Sequence, residues 1–322
     1  MRIIFMGTPD FAAEILDGLL TTDHEILAVV TQPDRPKGRK RILTPSPVKV
    51  LAQKYHLPVF QPENIKGSSE AEELTAMAAD LIITAAYGQF VPDSLLASVK
   101  YYAINVHASL LPKYRGGAPI HYAIWQGEEE TGISIIEMVS QMDAGDIFYQ
   151  QAIPILPSDD VGQQFAKLAK LGRQALLDFL PKLASGDFER QPQNPEQVSF
   201  APIIDKEAEQ INWFQSNQEI DQHIRAFRPF PSTYTLLKGQ RIKIWAGRPV
   251  NYANKYQASP GQIVASTDDQ LIVACGQDSV FAIEEWQENG RKRVQIKDYL
   301  NGNPADDLIG QTFSSPKEGA SS

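Results

Sequence analysis

The opening 31 residues constrain the fold most strongly, because they alternate apolar strands with an amphipathic helix. Apolar strands are predicted at residues 2–6 and 26–31 and a helix at 11–20, after the turn Gly7-Thr8-Pro9-Asp10. Strand, turn, helix and strand in that order form the βαβ unit of an open parallel sheet. The turn lacks the Gly-x-Gly-x-x-Gly spacing, so we predict no tightly held dinucleotide.

Later segments first extend this pattern and then depart from it. Residues 81–86 are a continuous apolar run, as expected of a strand covered on both faces, and a further strand is predicted at 102–106. An amphipathic helix is predicted at 161–184, whereas short strands separated by turns follow between residues 234 and 286. We therefore predict an α/β fold: a Rossmann-like, open, mostly parallel sheet with helices on both faces, followed by a smaller OB-like β-barrel.

The length of the chain, 322 residues, exceeds the usual size of a single core, so two domains are expected. We place the first domain at residues 1–189 and a proline-containing linker at 190–206. The β-barrel domain is expected at 207–313 and a flexible tail at 314–322.

Composition and charge exclude several classes of protein. The formal net charge of −9 argues against a protein that coats nucleic acid without specificity. The first apolar run is too short for a signal peptide, and no later run approaches the roughly 18 residues of a membrane span, so we expect a cytosolic protein. The single cysteine, Cys275, cannot form an intrachain disulfide and is expected to be a small buried hydrophobe.

Two polar side chains lie at the end of the strand predicted at 102–106. Asn105 and His107 are two residues apart, so they project to the same face of the strand. Open α/β sheets place their ligand crevice at the carboxyl ends of their strands. A donating amide beside an imidazole that donates or passes a proton suits a carbonyl oxygen that becomes negative during a reaction. We therefore predict an active site here.

Five cations lie within seven residues, between two proline-rich segments. They are Arg35, Lys37, Arg39, Lys40 and Arg41. Most runs of this kind are only a solvated surface. The flanking prolines and the position beside the exit of the first strand favour contact with RNA instead.

Four segments together match the pattern of a known family. They are residues 105–120, with an Asn-x-His strand end and a Ser-Leu-Leu-Pro loop, residues 4–11, residues 31–36 with 44–49, and residues 85–89. These segments resemble the methionyl-tRNA formyltransferase family, within the folate-dependent formyltransferases. The resemblance covers both predicted domains, more weakly in the barrel. It implies that the formyl group of 10-formyltetrahydrofolate is transferred to the α-amine of methionyl initiator tRNA, giving N-formylmethionyl-tRNA for translation initiation.

The resemblance also implies roles for individual residues. Asp143 corresponds to the family's third catalytic residue, which would orient the imidazole and favour its protonated form, or help to take the proton of the attacking amine through water. The ultimate base is left open. The positions that correspond to folate contacts are Ser109, Leu110, Leu111, Pro112, Tyr87, Gly88, Gln89 and Phe90. No metal is implied.

For the RNA partner, the basic run resembles the family insertion that enters the acceptor stem of the tRNA, with Arg39 as its most important arginine. The order Gly38-Arg39-Lys40-Arg41-Ile42 departs from the commoner Gly-Arg-Gly-Lys-Lys, which leaves the register of Arg41 open. A second, diffuse RNA surface on the barrel would include Lys206, Arg225, Lys243, Arg248, Arg291, Lys292 and Arg293. We expect a monomer.

Two rival functions compete with this interpretation. One is the same formyl transfer to a small acceptor, such as a glycinamide ribonucleotide or an amino-sugar nucleotide, which would leave the basic run and the barrel without an obvious purpose. The other is an RNA-binding protein with an inactive catalytic domain, which the intact catalytic set argues against. Among the remaining histidines, His121 could contact substrate or pack, whereas His24, His56 and His223 are expected to be structural.

Overall fold

The computed structural model describes residues 1–38, 40–250 and 258–316. Contacts between residues divide the chain into two compact units. The first unit comprises Met1–Pro119, Glu130–Pro154 and Gln164–Pro202, and the second comprises Ile120–Glu129, Ile155–Gln163 and Ile203–Ser322. Each unit contains its own large sheet.

The secondary structure alternates strands and helices as far as the long sixth helix and is rich in strands after it. The strands are β1 (Arg2–Gly7), β2 (Glu25–Val30), β3 (Arg35–Lys37), β4 (Ile42–Thr44), β5 (Val59–Phe60), β6 (Leu81–Ala85), β7 (Tyr102–His107), β8 (Glu130–Glu137), β9 (Ile147–Pro154), β10 (Thr233–Leu237), β11 (Gln240–Val250), β12 (Ile263–Ser266), β13 (Leu271–Ala274), β14 (Val280–Glu288), β15 (Val294–Gln295) and β16 (Phe313–Ser314). The α-helices are α1 (Asp10–Leu19), α2 (Pro47–Lys54), α3 (Ser69–Ala76), α4 (Asp93–Leu96), α5 (Pro119–Trp125), α6 (Val161–Ser185), α7 (Asn217–Phe227) and α8 (Ile296–Leu300).

The sheet of the first unit has the strand order β5-β2-β1-β6-β7-β8-β9. The strands from β5 to β7 are parallel, whereas β8 is antiparallel to β7 and β9 is antiparallel to β8. The apolar run of β1 is fully buried at Ile3–Met6, as is expected of a strand covered on both faces. The predicted Rossmann-like, mostly parallel sheet is therefore confirmed.

The sheet of the second unit is antiparallel, in the order β12-β13-β14-β11-β10-β16, with β15 also paired to β14. It curls around a core that contains Trp213, Phe281, Trp286 and Phe313. Register shifts in β11 bend that strand, and a Cβ atom at Gly247 would lie only 2.3 Å from the Phe281 ring. A curled, barrel-like C-terminal sheet is therefore confirmed as well.

The contacts at the end of the first unit differ from those expected of a linker at 190–206. Gln191 exchanges backbone hydrogen bonds with Ile147, and the Ala201 N–H donates to the Arg115 carbonyl at 2.8 Å. These bonds tie the segment to the first unit as far as Pro202. At the other end of the second unit, β16 pairs with β10, so Ser314 belongs to the sheet rather than to a tail. Residues 317–322 of the expected tail lie outside the described residues.

The hairpin formed by β3 and β4 was not predicted. Arg35 pairs with Thr44 and Lys37 with Ile42 across this antiparallel hairpin. All three residues of β3 are exposed, so the segment lacks the buried face by which strands are recognised in a sequence. Among the described residues, no helix is both long and apolar enough to cross a membrane.

Candidate active site

The predicted catalytic side chains meet at the end of β7. Asn105 and His107 follow one another on the same face of this strand, and His107 is only 6% exposed. The connection from β8 to β9 supplies Asp143, whose backbone adopts a φ of +50°. A left-handed conformation at a residue other than glycine costs free energy, so surrounding contacts must hold it.

Asp143 is bonded on both carboxylate oxygens. The Asn105 amide donates from Nδ2 to Asp143 Oδ1 at 3.2 Å, and the Gly116 N–H donates to Oδ2 at 2.9 Å. His107 Nδ1 lies 3.7 Å from the same Oδ1. The Asn105 amide and the His107 imidazole therefore lie next to the same oxygen of Asp143, Oδ1.

The hydrogen bonds of His107 fix which ring nitrogen carries a hydrogen. Nε2 lies 3.0 Å from the carbonyl oxygen of Tyr114. Because a carbonyl can only accept, Nε2 must donate, and Nδ1 is the nitrogen at which a proton can be gained or lost. That nitrogen faces Asp143, so a proton on it is close to a negative charge.

Thr84 was missed by the sequence analysis, although it orients the Asn105 amide. Its hydroxyl, buried at the end of β6, donates to Asn105 Oδ1 at 2.8 Å. A donor at the oxygen end of the amide points its NH2 end towards Asp143. Thr84 is the one hydroxyl side chain within the otherwise apolar residues 81–86, and its role depends on a contact with the neighbouring strand that the sequence does not reveal.

Gln193 was also missed, because its segment was expected to be a linker. Its Nε2 donates to the backbone carbonyls of Asp143 at 2.7 Å and Gly145 at 2.8 Å. Its Oε1 accepts from Arg115 Nε at 3.0 Å and from Nη2 at 2.8 Å. Gln193 thus links the turn that carries Asp143 to Arg115, which lies in the loop after β7.

The Ser-Leu-Leu-Pro loop after β7 is held by hydrogen bonds within the first unit. The Ser134 hydroxyl donates to the Ser109 carbonyl and accepts from the Leu111 N–H at 3.0 Å. Gln150 donates to the Leu111 carbonyl at 2.8 Å, and the fully buried Ser109 donates from Oγ to the Lys113 carbonyl at 2.7 Å. The Ser109 hydroxyl therefore shapes the loop, and Leu110 is its half-buried apolar member.

The other predicted folate segment, Tyr87 to Phe90, follows β6. Tyr87 is buried, and burial raises the pKa of its hydroxyl to about 12. Gln89 accepts from the Ile65 N–H at 2.8 Å and donates to the Pro62 carbonyl at 3.1 Å, so its amide braces a neighbouring loop. Gly88 has a φ of +89° and is exposed, and Phe90 is 68% exposed.

The basic run lies on the hairpin of β3 and β4. Lys37, Lys40 and Arg41 are exposed, while Arg35 forms an exposed ion pair with Glu63 at 2.7 Å. Arg39, the arginine singled out from the sequence, lies outside the described residues. The described part of the hairpin therefore presents its cations to solvent.

Several of the cations suggested for a barrel RNA surface are paired within the second unit. Arg225 contacts Asp221 at 2.6 Å, Arg248 contacts Glu284 at 3.1 Å, and Arg291 and Arg293 contact Glu288 and Glu285, respectively. These carboxylates compete with phosphates for the guanidinium groups. The lysines of that set, in contrast, form no ion pair among the described residues; they are Lys206, Lys243 and Lys292.

Burial changes the pKa of two residues of the second unit, Cys275 and His121. Cys275 is buried, and burial raises the pKa of its thiol to about 12, so it is a protonated core residue. Burial also lowers the pKa of His121. Both effects follow from the cost of charge in an apolar interior.

Comparison with known proteins defines the class first. Residues 1–180 match the family model described as formyl transferase, and residues 203–304 match the formyl transferase C-terminal domain. A crystal structure of HypX from Aquifex aeolicus in complex with tetrahydrofolic acid is similar in fold, with a TM-score of 0.61 at 19% identity over 93% of this chain and 47% of that one. The two domains are thus those of formyl transferases.

Curated relatives narrow the class further. A methionyl-tRNA formyltransferase of Pediococcus pentosaceus is 51% identical over 301 residues, which cover 93% of each chain. One of Enterococcus faecalis is 48% identical over 301 residues, covering 94% of this chain and 96% of the relative. The chain belongs to the methionyl-tRNA formyltransferase family, as the resemblance predicted.

Proposed function

We propose that this protein transfers a formyl group from 10-formyltetrahydrofolate to the α-amine of methionyl initiator tRNA. The observation that carries the proposal is the contact of Asn105, His107 and Asp143 at the end of β7. In a chain about 50% identical to methionyl-tRNA formyltransferases, this cluster has the groups that formyl transfer requires.

The first requirement is a donor for the oxygen that becomes negative when the amine attacks the formyl carbon. One N–H of Asn105 is directed at Asp143, and the second is left to bond that oxygen. Because Thr84 holds the other end of the amide, the donor is oriented before substrate binds. Donors that are already oriented stabilise the transition state without a reorganisation cost.

The second requirement is a group that handles the proton lost by the amine. His107 can exchange a proton only at Nδ1, since Nε2 donates to the Tyr114 carbonyl. The Asp143 carboxylate at 3.7 Å balances the charge of a doubly protonated ring. His107 therefore donates to the developing oxyanion or relays the proton, and Asp143 orients it for either step.

The formyl donor supplies the activated one-carbon group, and the residues after β6 and β7 fit its flat heterocycle. Leu110 and Phe90 offer apolar surface, and the exposed Gly88, two residues before Phe90, leaves its backbone accessible. The side chains of Ser109 and Gln89 are engaged with protein groups, so we assign them to shaping the site. Tyr87, Leu111 and Pro112 complete the proposed folate segment.

The tRNA is recognised by charge on the hairpin of β3 and β4. The exposed cations Lys37, Lys40 and Arg41 would bind phosphates of the acceptor stem, together with Arg39 and, once released from Glu63, Arg35. A small acceptor would not use this surface. As an enzyme of translation, the protein would act in the cytoplasm, and we propose that it acts as a monomer.

A formylation assay tests this function. The protein, 10-formyltetrahydrofolate and methionyl initiator tRNA should yield N-formylmethionyl-tRNA, with a KM for tRNA that rises with salt. For tRNA, log(1/KM) should fall linearly with the logarithm of the salt concentration. Replacing Lys37→Gln and Lys40→Gln together should make this slope shallower by about 1 to 2 and leave kcat unchanged. The control, Lys170→Gln with Lys182→Gln, makes the same charge change on exposed positions of α6 and should preserve the slope.

Two outcomes would contradict the assignment. Transfer to an amino-sugar nucleotide without transfer to the tRNA would favour the small-acceptor rival. Binding of the tRNA without any formyl transfer would favour an inactive RNA-binding protein.

A further inference from the structure

The side-chain amide of Gln193 is bonded at every position. Its two N–H groups donate to the carbonyls of Asp143 and Gly145, and its oxygen accepts two bonds from Arg115. A primary amide has two hydrogens to donate and two lone pairs that accept, so no capacity is left for substrate. A role for Gln193 must therefore act through the residues that it holds.

Arg115 sets the orientation of this amide. The guanidinium can only donate, so the oxygen end of Gln193 must face it and the NH2 end must face the turn. Arg115 is itself only 8% exposed. Its backbone N–H donates to the Ser199 carbonyl, and its carbonyl accepts from the Ala201 N–H. The orientation of the Gln193 amide is therefore set by an arginine that is itself buried and held by backbone hydrogen bonds.

The turn that receives these bonds needs support. Asp143 has a φ of +50°, and at Gly145 a Cβ atom would lie 2.0 Å from the Glu137 carbonyl oxygen. The turn is therefore both strained and tightly packed, and a small displacement would move the Asp143 carboxylate relative to His107 Nδ1.

The contacts close into a ring. The Arg115 side chain holds Gln193, Gln193 holds the backbone of Asp143, and the Asp143 carboxylate accepts from the N–H of Gly116, the residue after Arg115. We propose that Gln193 is a positioning residue for formyl transfer, which holds Asp143 in the orientation that His107 and Asn105 require. The proposal rests on the proposed function, and it assigns a mechanistic role to a segment between the two family-model matches.

Gln193→Glu is the sharpest test, because it keeps the size of the side chain and its contact with Arg115. Only the two donors to the turn are lost, and a negative oxygen then faces the carbonyls of Asp143 and Gly145. We expect kcat to fall by about 10²-fold, since displacements of about 1 Å can cost this much, with the KM for folate changed less than threefold. Gln197→Glu introduces the same charge at an exposed position four residues on and should preserve kcat.

A pH series separates positioning from simple destabilisation. When the carboxyl introduced by Gln193→Glu becomes protonated, its O–H can again donate to the turn. The ratio of wild-type kcat to variant kcat, measured at the same pH, should therefore decrease as the pH falls. Gln193→Leu has no such group, and its loss of kcat should not shrink. The urea midpoint of each variant shows whether the fold is retained.

Nitrogen NMR of the histidine rings gives a readout that does not depend on the acceptor. The Nδ1 shift of His107 should change in Gln193→Glu and stay at the wild-type value in Gln197→Glu. If the wild type formylates no tRNA, the proposed function fails, while this NMR comparison still tests the positioning role. Wild-type kcat and an unchanged Nδ1 shift in both Gln193 variants would overturn the proposal.

Discussion

Two buried histidines, His107 and His223, make the same kind of hydrogen bond through Nε2 but have different neighbours on the rest of the ring. They are 6% and 2% exposed, and each places Nε2 against a backbone carbonyl, 3.0 Å from Tyr114 and 2.8 Å from Ala208. His107 Nδ1 then faces the carboxylate of Asp143 at 3.7 Å. His223 instead stacks on the Trp125 ring, with ring centroids 5.0 Å apart.

The difference shows what turns a buried histidine into a reactive one. Burial lowers the pKa of His223 to about 4, and the bond to the Ala208 carbonyl only partly opposes this effect. His223 therefore stays neutral near pH 7 and serves packing. The Asp143 carboxylate gives His107 a neighbouring opposite charge, which His223 lacks among the described residues, so a proton at His107 Nδ1 can take part in chemistry.

The largest effect should come from removing the reactive ring. His107→Ala should lower kcat by about 10²–10³-fold, on the scale of losing an oxyanion donor, in single-turnover formylation of methionyl-tRNA. His223→Gln is the matched control, because it removes a buried imidazole and keeps a donor for the Ala208 carbonyl. Equal losses in the two variants would show that removing either buried imidazole lowers kcat, and that the contact with Asp143 does not distinguish these histidines.

A somewhat smaller effect is expected when His107 is given neutral surroundings like those of His223. Asp143→Asn keeps an acceptor for the Gly116 N–H but removes the negative charge beside Nδ1. We expect kcat to fall by about 10²-fold with little change in the KM for tRNA. Asp146→Asn, on the same connection, is the control, since Asp146 pairs with Arg190 at 3.1 Å and should affect kcat less than threefold. An Asp143→Asn enzyme with wild-type kcat would exclude an electrostatic role for this carboxylate.

The parts of the fold that could be predicted from sequence are those with a buried face. The apolar runs of β1, β6 and β7 predicted a parallel sheet, and the short strands after α7 predicted a curled second sheet. The hairpin of β3 and β4 could not be predicted, since its exposed, charged residues give no alternating apolar pattern.

The residues of the site also divide into those that the sequence predicted and those that it did not. Strand alternation alone placed Asn105 and His107 together, and the structure agrees. Asp143 was predicted only through the family resemblance, because a turn residue carries no signal that it reaches a distant strand. Thr84 and Gln193 act through hydrogen bonds to residues distant in sequence, and neither spacing nor composition encodes such contacts.

The last predicted effect concerns the stability of the second unit instead of kcat, and it tests the properties of His223. The unfolded chain protonates His223 at its ordinary pKa near 6.5, whereas the native state does so only near 4. Below pH 6.5 the unfolded state therefore binds the extra proton, and the free energy of unfolding falls by up to about 3 kcal/mol as the pH drops towards 4. All four tryptophans belong to the second unit, so tryptophan fluorescence in urea reports its unfolding at each pH.

His223→Gln isolates this contribution from those of the other histidines. Its side chain stays neutral at every pH, so the variant should lose less stability than the wild type between pH 6.5 and 4, although it is less stable at pH 7 because it loses the stacking on Trp125. The difference between the two pH profiles measures the cost of charging a buried imidazole that contacts no carboxylate in the described part of the chain. If the profiles run parallel, His223 accepts a proton in the native state as readily as in the unfolded one, and burial without a countercharge does not separate the two histidines.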